Sequence, residues 1–377
     1  MSTASQATKK SGAGASGDGF SLAKLLLEGR AFFALIVIIV VFSLLSPYYF
    51  SVANFLTMAS HVAIFGILAI GMLLVILNAG IDLSVGSTLG LAGVVAGFLM
   101  QGVTLPWLGV ILYPSVWVVV VLTCALGALV GLVNGVLIAR FNVPAFVATL
   151  GVMYMARGVA LLMTNGLTYN NLGGKPELGN TGFDRLGFDR LFGIPTGVVV
   201  LAVLAILGSL LLNRTAFGRW LYASGGNERA AELSGVPVKF VQIAVYVLSG
   251  ICAAIAGLIL SSQLTSAGPT AGNTYELTAI AAVVIGGASL MGGRGNMRGT
   301  MLGAFVIGFL SDGLVIIGIS AYWQTVFTGA VIVLAVLLNA IQYRRRAKPS
   351  GRSGGQPTSR NGAKAEPANP ASGKTAG

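Results

Sequence analysis

Charged side chains are scarce: Asp, Glu, Lys and Arg make up 9% of the 377 residues, against roughly a quarter in ordinary soluble domains. A chain so poor in charge cannot cover itself in water, and with 55% hydrophobic residues it belongs in a bilayer. Histidine is scarcer still. The single one, His61, has no Cys, Asp or Glu cluster around it in sequence, which leaves a metal site or a Ser-His-Asp arrangement without support. The two cysteines, Cys124 and Cys252, both fall in long apolar runs and read as small buried residues, not as a disulfide framework. No G-x-x-x-x-G-K-[ST] loop is present to cradle phosphates. Neither a metal, a resident cofactor nor an enzymatic activity is therefore expected of this chain.

Apolar runs are what the chain has in quantity. Ten segments read as membrane spans, near 31–50, 61–79, 83–101, 116–139, 143–164, 195–212, 239–261, 275–293, 299–318 and 321–342; the longer ones reach the ~20 residues that cross the hydrocarbon. Eight spans result if one short run is re-entrant. The expected fold is all-α, a polytopic membrane helical bundle, and glycines inside the runs let its helices approach closely. Residues 1–30 and 343–377 read as tails flanking a 31–342 transmembrane domain; the first is polar for too long to be a secretory signal.

Basic residues orient the bundle. With both termini cytoplasmic, nineteen of the 23 Lys and Arg fall on the cytoplasmic side, and only Lys175, Arg185 and Arg190 lie outside, all in one extracytoplasmic loop, 165–194. That loop is either a plain connection or a docking surface for a soluble partner. Its tandem "GFDRLGFDRL" is too brief to imply a repeat architecture. The net charge of +12 is carried heavily by the Ser/Gly/Pro-rich 343–377 segment, with eight basic residues. Without an aromatic stacking platform this segment reads as a disordered flank beside anionic lipid, and nucleic-acid binding is not expected.

The cytoplasmic segment "NRTAFGRWLYASGGNERAAELSGVPVKF" (213–240) carries both signs of charge. It is helix-permissive from Asn227 to Leu233, closed by Gly235 and followed by Pro237, the pattern of a short helix with a defined stop. Held between two spans, such a helix can pass a push from a partner to the bundle, or merely connect.

Three segments, "GIDLSVGS" (80–87), "ASGGNERAAELSGV" (223–236) and "PTAGNTYELTAIAAVVIGGASLMGGRGNMRGTMLGA" (269–304), resemble the permease subunits of bacterial ABC importers for ribose, xylose, arabinose and related sugars. The resemblance covers residues 30–342. It implies a multi-pass protein of the bacterial cytoplasmic (inner) membrane that forms the path for a monosaccharide or polyol. It also implies partners: an ATPase subunit that uses ATP and Mg, a periplasmic sugar-binding protein, and a second permease copy or a related permease. Segment 213–238 then matches the family's coupling loop, with Gly225, Asn227, Glu228, Ala231 and Gly235 against the ATPase. Permeases for nucleosides or branched-chain amino acids, in the same broad superfamily, are the alternative. An ion-coupled carrier is a third reading, weakened by how few charges lie in the spans.

Candidates for the substrate path are polar residues that interrupt apolar helices: Asn78, Asp82, Ser84, Asn134, Tyr275 and Glu276, with Thr149, Arg157 and Asp312 behind them. Each also reads as an ordinary interhelical hydrogen-bonding group. Asp82 has two readings. At a cytoplasmic turn it caps a helix beginning at Leu83; in a broken helix it lines the route with freed backbone groups.

Overall fold

The computed structural model describes residues 30–337 except Leu108, Ala321, Ile332, Ala335 and Val336. The two expected tails lie outside the described residues, apart from Arg30, as does the end of the last expected span. The first helix, α1, is Arg30–Leu45. After a short turn, Ser51 Oγ accepts the N–H of Asn54 at 3.3 Å and starts α2, Val52–Leu77, well before the expected 61, because a serine cap satisfies the first turn there. At ~1.5 Å per residue the 26 residues of α2 cross a bilayer core with length to spare.

Helix α3 is Val85–Gln101. A hairpin of β1 (Val103–Leu105) and β2 (Val110–Leu112) follows, then α4 (Val116–Ala139) and α5 (Ala145–Thr164). The 165–194 segment holds β3 (Tyr169–Asn170), the short helix α6 (Arg185–Phe188), β4 (Arg190–Leu191) and the start of β5 (Ile194–Pro195). Its tandem copies fold differently. Phe183 of the first is fully buried, whereas Phe188 of the second is 61% exposed beside a strand. Helices α7 (Thr196–Arg214), α8 (Ala216–Gly226), α9 (Glu228–Leu233) and α10 (Val238–Gln263) come next. Strand β6 (Ser266–Ala267) pairs antiparallel with β3, and α11 (Tyr275–Ile285) and α12 (Met297–Ile316) follow. Residues 322–331 are helical again.

Among the described residues six helices, α2, α4, α5, α7, α10 and α12, are long and apolar enough to cross a membrane. Their burial sorts them. The apolar window of α2 is 83% buried and that of α10 61%, against 22–28% for α4, α5 and α7, so α2 and α10 make the centre and the other three turn their apolar surface outward, as lipid-facing helices do. The seam between α4 and α10 is set by glycine. A Cβ on Gly127 or Gly131 would strike the carbonyl oxygens of Gly250 or Tyr246, and one on Gly135 would crowd Ile243. Four-residue spacing puts the three on one face, where backbones meet directly.

The span expected at 275–293 is corrected: α11 stops at Ile285. Gly287, Gly292 and Gly293 take left-handed φ of +96°, +82° and +65°, which ends a helix and turns the chain. Residues 268–274, ahead of α11, are not regular helix. They run along α3, whose Gly90 lies against Ala271 and Pro269 and whose Gly86 lies against Gly272.

Candidate functional site

Helix α2 ends at Leu77, and the chain turns through Asn78 and Ala79, the latter at φ +60°, a conformation costly for a residue with a Cβ. Asp82 follows, 1% exposed. Its Oδ1 accepts the backbone N–H of Ser84 at 3.0 Å and the Ser84 hydroxyl at 2.6 Å, and its Oδ2 accepts the hydroxyl of Ser249, from α10, at 2.8 Å. Asn134 Nδ2 of α4 donates to Ser84 Oγ at 2.8 Å, and the Thr149 hydroxyl of α5 is shared between the Ala145 carbonyl of its own helix, at 2.8 Å, and the Ile81 carbonyl, at 3.2 Å. One seven-residue turn therefore binds three helices through uncharged donors. This corrects the cap reading in its position: Asp82 accepts the Ser84 N–H ahead of the helix, not in a first turn beginning at Leu83. Helix α3 starts at Val85, and its cap residue Ser84 makes no side-chain capping bond; the carboxylate, committed on both oxygens, is a buried latch.

The same turn is covered by α8. Ser224 donates its hydroxyl to Asn78 Oδ1 at 3.0 Å. Gly225 is so close that any Cβ would collide with the Leu77 carbonyl oxygen, which also accepts the Gly293 N–H at 2.9 Å. Tyr222 Oη donates to the Gly295 carbonyl at 2.8 Å, and burial raises its phenol pKa above the ordinary range. The end of α2, the surface helix α8 and the 286–296 loop thus form one backbone-tight junction.

The expected short helix is present as α9. Asn227 caps it, Oδ1 accepting the Ala230 N–H at 3.0 Å, and Gly235, at φ +83°, closes it, with Val236 N–H on the Ala231 carbonyl at 3.0 Å, the Schellman pattern. Of the five residues expected to face a partner, Gly225 and Ala231 are buried inside the chain. Asn227, Glu228 and Gly235 are exposed, and Glu228 accepts from Gln242 Nε2 at 3.0 Å. Leu233 and Phe240, 76% and 58% exposed, add an apolar surface at the same place. Sequence reading missed them; a large apolar residue in a charged cytoplasmic stretch was the available signal.

Tyr275 and Glu276 open α11. Glu276 lies against Gly86, in the first turn of α3, and Tyr275 packs on Phe65 with ring centroids 5.0 Å apart. Arg157 donates to the carbonyls of Pro269 and Ala271, at 2.5 and 2.9 Å, satisfying non-helical backbone that the bundle would otherwise leave bare. The six path candidates thus fall into two groups that meet at the start of α3. His61 proves to have an acidic neighbour after all: Nδ1 is 3.0 Å from Asp312 Oδ1, across 251 residues of chain.

The family described as branched-chain amino acid transport system / permease component matches residues 54–336. The ribose import permease protein of Escherichia coli (strain K12) is 43% identical over 314 residues, covering 83% of this chain and 94% of that protein. Its Bacillus subtilis (strain 168) counterpart is 43% identical over 309 residues, 82% and 91% of the two chains. The xylose transport system permease protein of Escherichia coli (strain K12) is 36% identical over 351 residues, 79% and 87%. No solved structure matches. With three quarters of its length inside the match, the chain belongs to this permease family and is a multi-pass helical membrane protein.

Proposed function

We propose that the protein is the transmembrane subunit of an ATP-driven ABC importer that carries a monosaccharide or polyol across the bacterial cytoplasmic membrane. The observation that carries this reading is the junction of α8 with the turn at 78–84: α8 is bonded directly to the end of the central helix through Ser224 and leads at once into the exposed, capped α9, which is what a subunit driven from outside itself requires. The driver is a separate ATPase that uses ATP and Mg, and it seats on Asn227, Glu228, Gly235, Leu233 and Phe240. Gly225 and Ala231 act from within, by letting α8 and α9 lie flush on the bundle.

Both termini and α8–α9 then lie in the cytoplasm, on the side that the basic residues favour, and the 165–194 segment lies outside, where a periplasmic binding protein delivers its cargo. A second copy of the chain completes the translocation path, to which Asn78, Asp82, Ser84, Asn134, Tyr275 and Glu276 contribute as its supporting wall. Relatives named for ribose and xylose favour a sugar over the branched-chain amino acids of the family description.

Purification of the chain with its ATPase partner, followed by uptake into liposomes, tests the reading. ATP-dependent uptake of a pentose or hexose is expected. Uptake of leucine or a nucleoside instead would change the substrate class, and uptake without any ATPase would end the importer reading.

A further inference from the structure

Opposite the α8–α9 end, a cavity of about 290 Å³ opens between α2, α6, β4–β5 and the end of α10. It is small for a ligand pocket, which typically runs ~300–1,000 Å³, and that size suits one sugar ring. Its lining has the chemistry a polyol needs. Thr57 and Ser60 donate their hydroxyl hydrogens to the carbonyls of Ala53 and Leu56, both at 3.1 Å, which leaves each oxygen with acceptor capacity at the cavity wall. His61 engages Asp312 through Nδ1, which leaves Nε2 as a further acceptor when the ring is neutral. Donors come from the other wall: the Arg190 guanidinium, and Gln263, whose amide Nε2 is buried with no hydrogen-bond partner among the described residues. An amide donor buried unpaired is costly, and because Gln263 Nε2 is sealed from solvent in this position, it serves a hydroxyl in the cavity only when the side chain turns toward the space that it lines. The Phe188 ring, largely exposed at the rim, offers an apolar face for the C–H side of a sugar.

We infer that this cavity is an outer receiving site for the monosaccharide, with Thr57, Ser60 and His61 accepting from its hydroxyls and Gln263 and Arg190 donating to them. The site rests on the sugar-importer reading and extends it: the cargo is held at the extracytoplasmic mouth, by α2 and α10, before it reaches the interior. An assembled transporter in liposomes carrying Thr57→Cys tests it by the rate of modification with a small charged thiol reagent. The two native cysteines, one buried and one partly buried, set the background. D-ribose, D-xylose and D-galactose are added separately, and Val52→Cys, exposed on the same helix outside the cavity, is the control.

The sugar that the unaltered transporter takes up should slow modification at Thr57→Cys by about threefold or more, leave Val52→Cys unchanged, and lose its protection when Gln263→Leu is added, as the loss of a buried hydrogen bond predicts. Equal rates with and without a transported sugar would overturn the site while the importer reading stands, as would protection indifferent to Gln263→Leu. If none of the three sugars is taken up by a complex that hydrolyses ATP, the substrate reading itself fails.

Discussion

Two acids on the same structural path meet opposite fates. Asp82 is sealed in the bundle and bonded by Ser84 and Ser249, whereas Glu228 stands exposed and accepts a side-chain hydrogen bond from Gln242. Placing a carboxylate in a dry interior is costly unless donors satisfy it, so the donors around Asp82 are fixed in number and position. Around Glu228, water supplies whatever the protein does not. The buried acid therefore holds shape, and the exposed one is free to engage another molecule.

The contrast breaks most sharply at Asp82. Asp82→Ala leaves the Ser84 N–H and the hydroxyls of Ser84 and Ser249 without their acceptor, at about 1–3 kcal/mol for each buried group left unpaired. The expected result is a large fall in melting temperature in detergent and no uptake; Asp82→Asn, which keeps one acceptor, should assemble and melt in between. Gly225→Val comes next. The collision with the Leu77 carbonyl lifts α8 off the bundle, so the liposome assay should show ATP hydrolysis persisting while uptake falls at least tenfold; retention of tight coupling would contradict the junction. Asn227→Ala removes a helix cap worth about 1 kcal/mol, and its effect should appear as weaker co-purification of the ATPase with little change in melting.

Tyr222→Phe deletes one hydrogen bond, worth about 0.5–1.5 kcal/mol. Because burial raises the phenol pKa, the neutral form is the one favoured by folding. Its contribution is present below the ordinary phenol range and lost only as pH rises through the raised value, so the deficit measured by thermal unfolding should be constant across about pH 6–9. The smallest change is expected from Arg229→Ala: its ion pair with Glu232, 3.1 Å long, is exposed on both sides, and such pairs contribute about 0–1 kcal/mol.

What the sequence made legible was local. Asn227 and Gly235 bracket α9 because a cap and a left-handed stop act within a few residues, and the hairpin of α2 and α3 followed from two apolar runs with a turn between them. Partnerships across long separations left no trace. Nothing near Asp82 announces Ser249, 167 residues away, and nothing near His61 announces Asp312. The inward position of Gly225 was equally hidden, since a glycine in a polar loop reads the same whether it faces a partner or the chain's own carbonyl. The early end of α11 was misread because its apolar composition continues past Ile285 while its backbone, at Gly286 and Gly287, does not.

The glycine seam between α4 and α10 has a kinematic consequence. Where two helices touch through long side chains, rotamers can change and the helices can slide. Where they touch backbone to backbone, at Gly127, Gly131 and Gly250, there is no compliant layer to shear. Helices α4 and α10 therefore form one unit that resists sliding, fastened further by the Asp82 turn, which is bonded to Asn134 of α4 through Ser84 and to Ser249 of α10. The same kind of contact reaches α3, where a Cβ on Gly257 would strike the Leu89 carbonyl oxygen, and the 268–274 stretch, where one on Gly272 would strike that of Gly86; resistance to sliding therefore extends from α4 through α10 to α3.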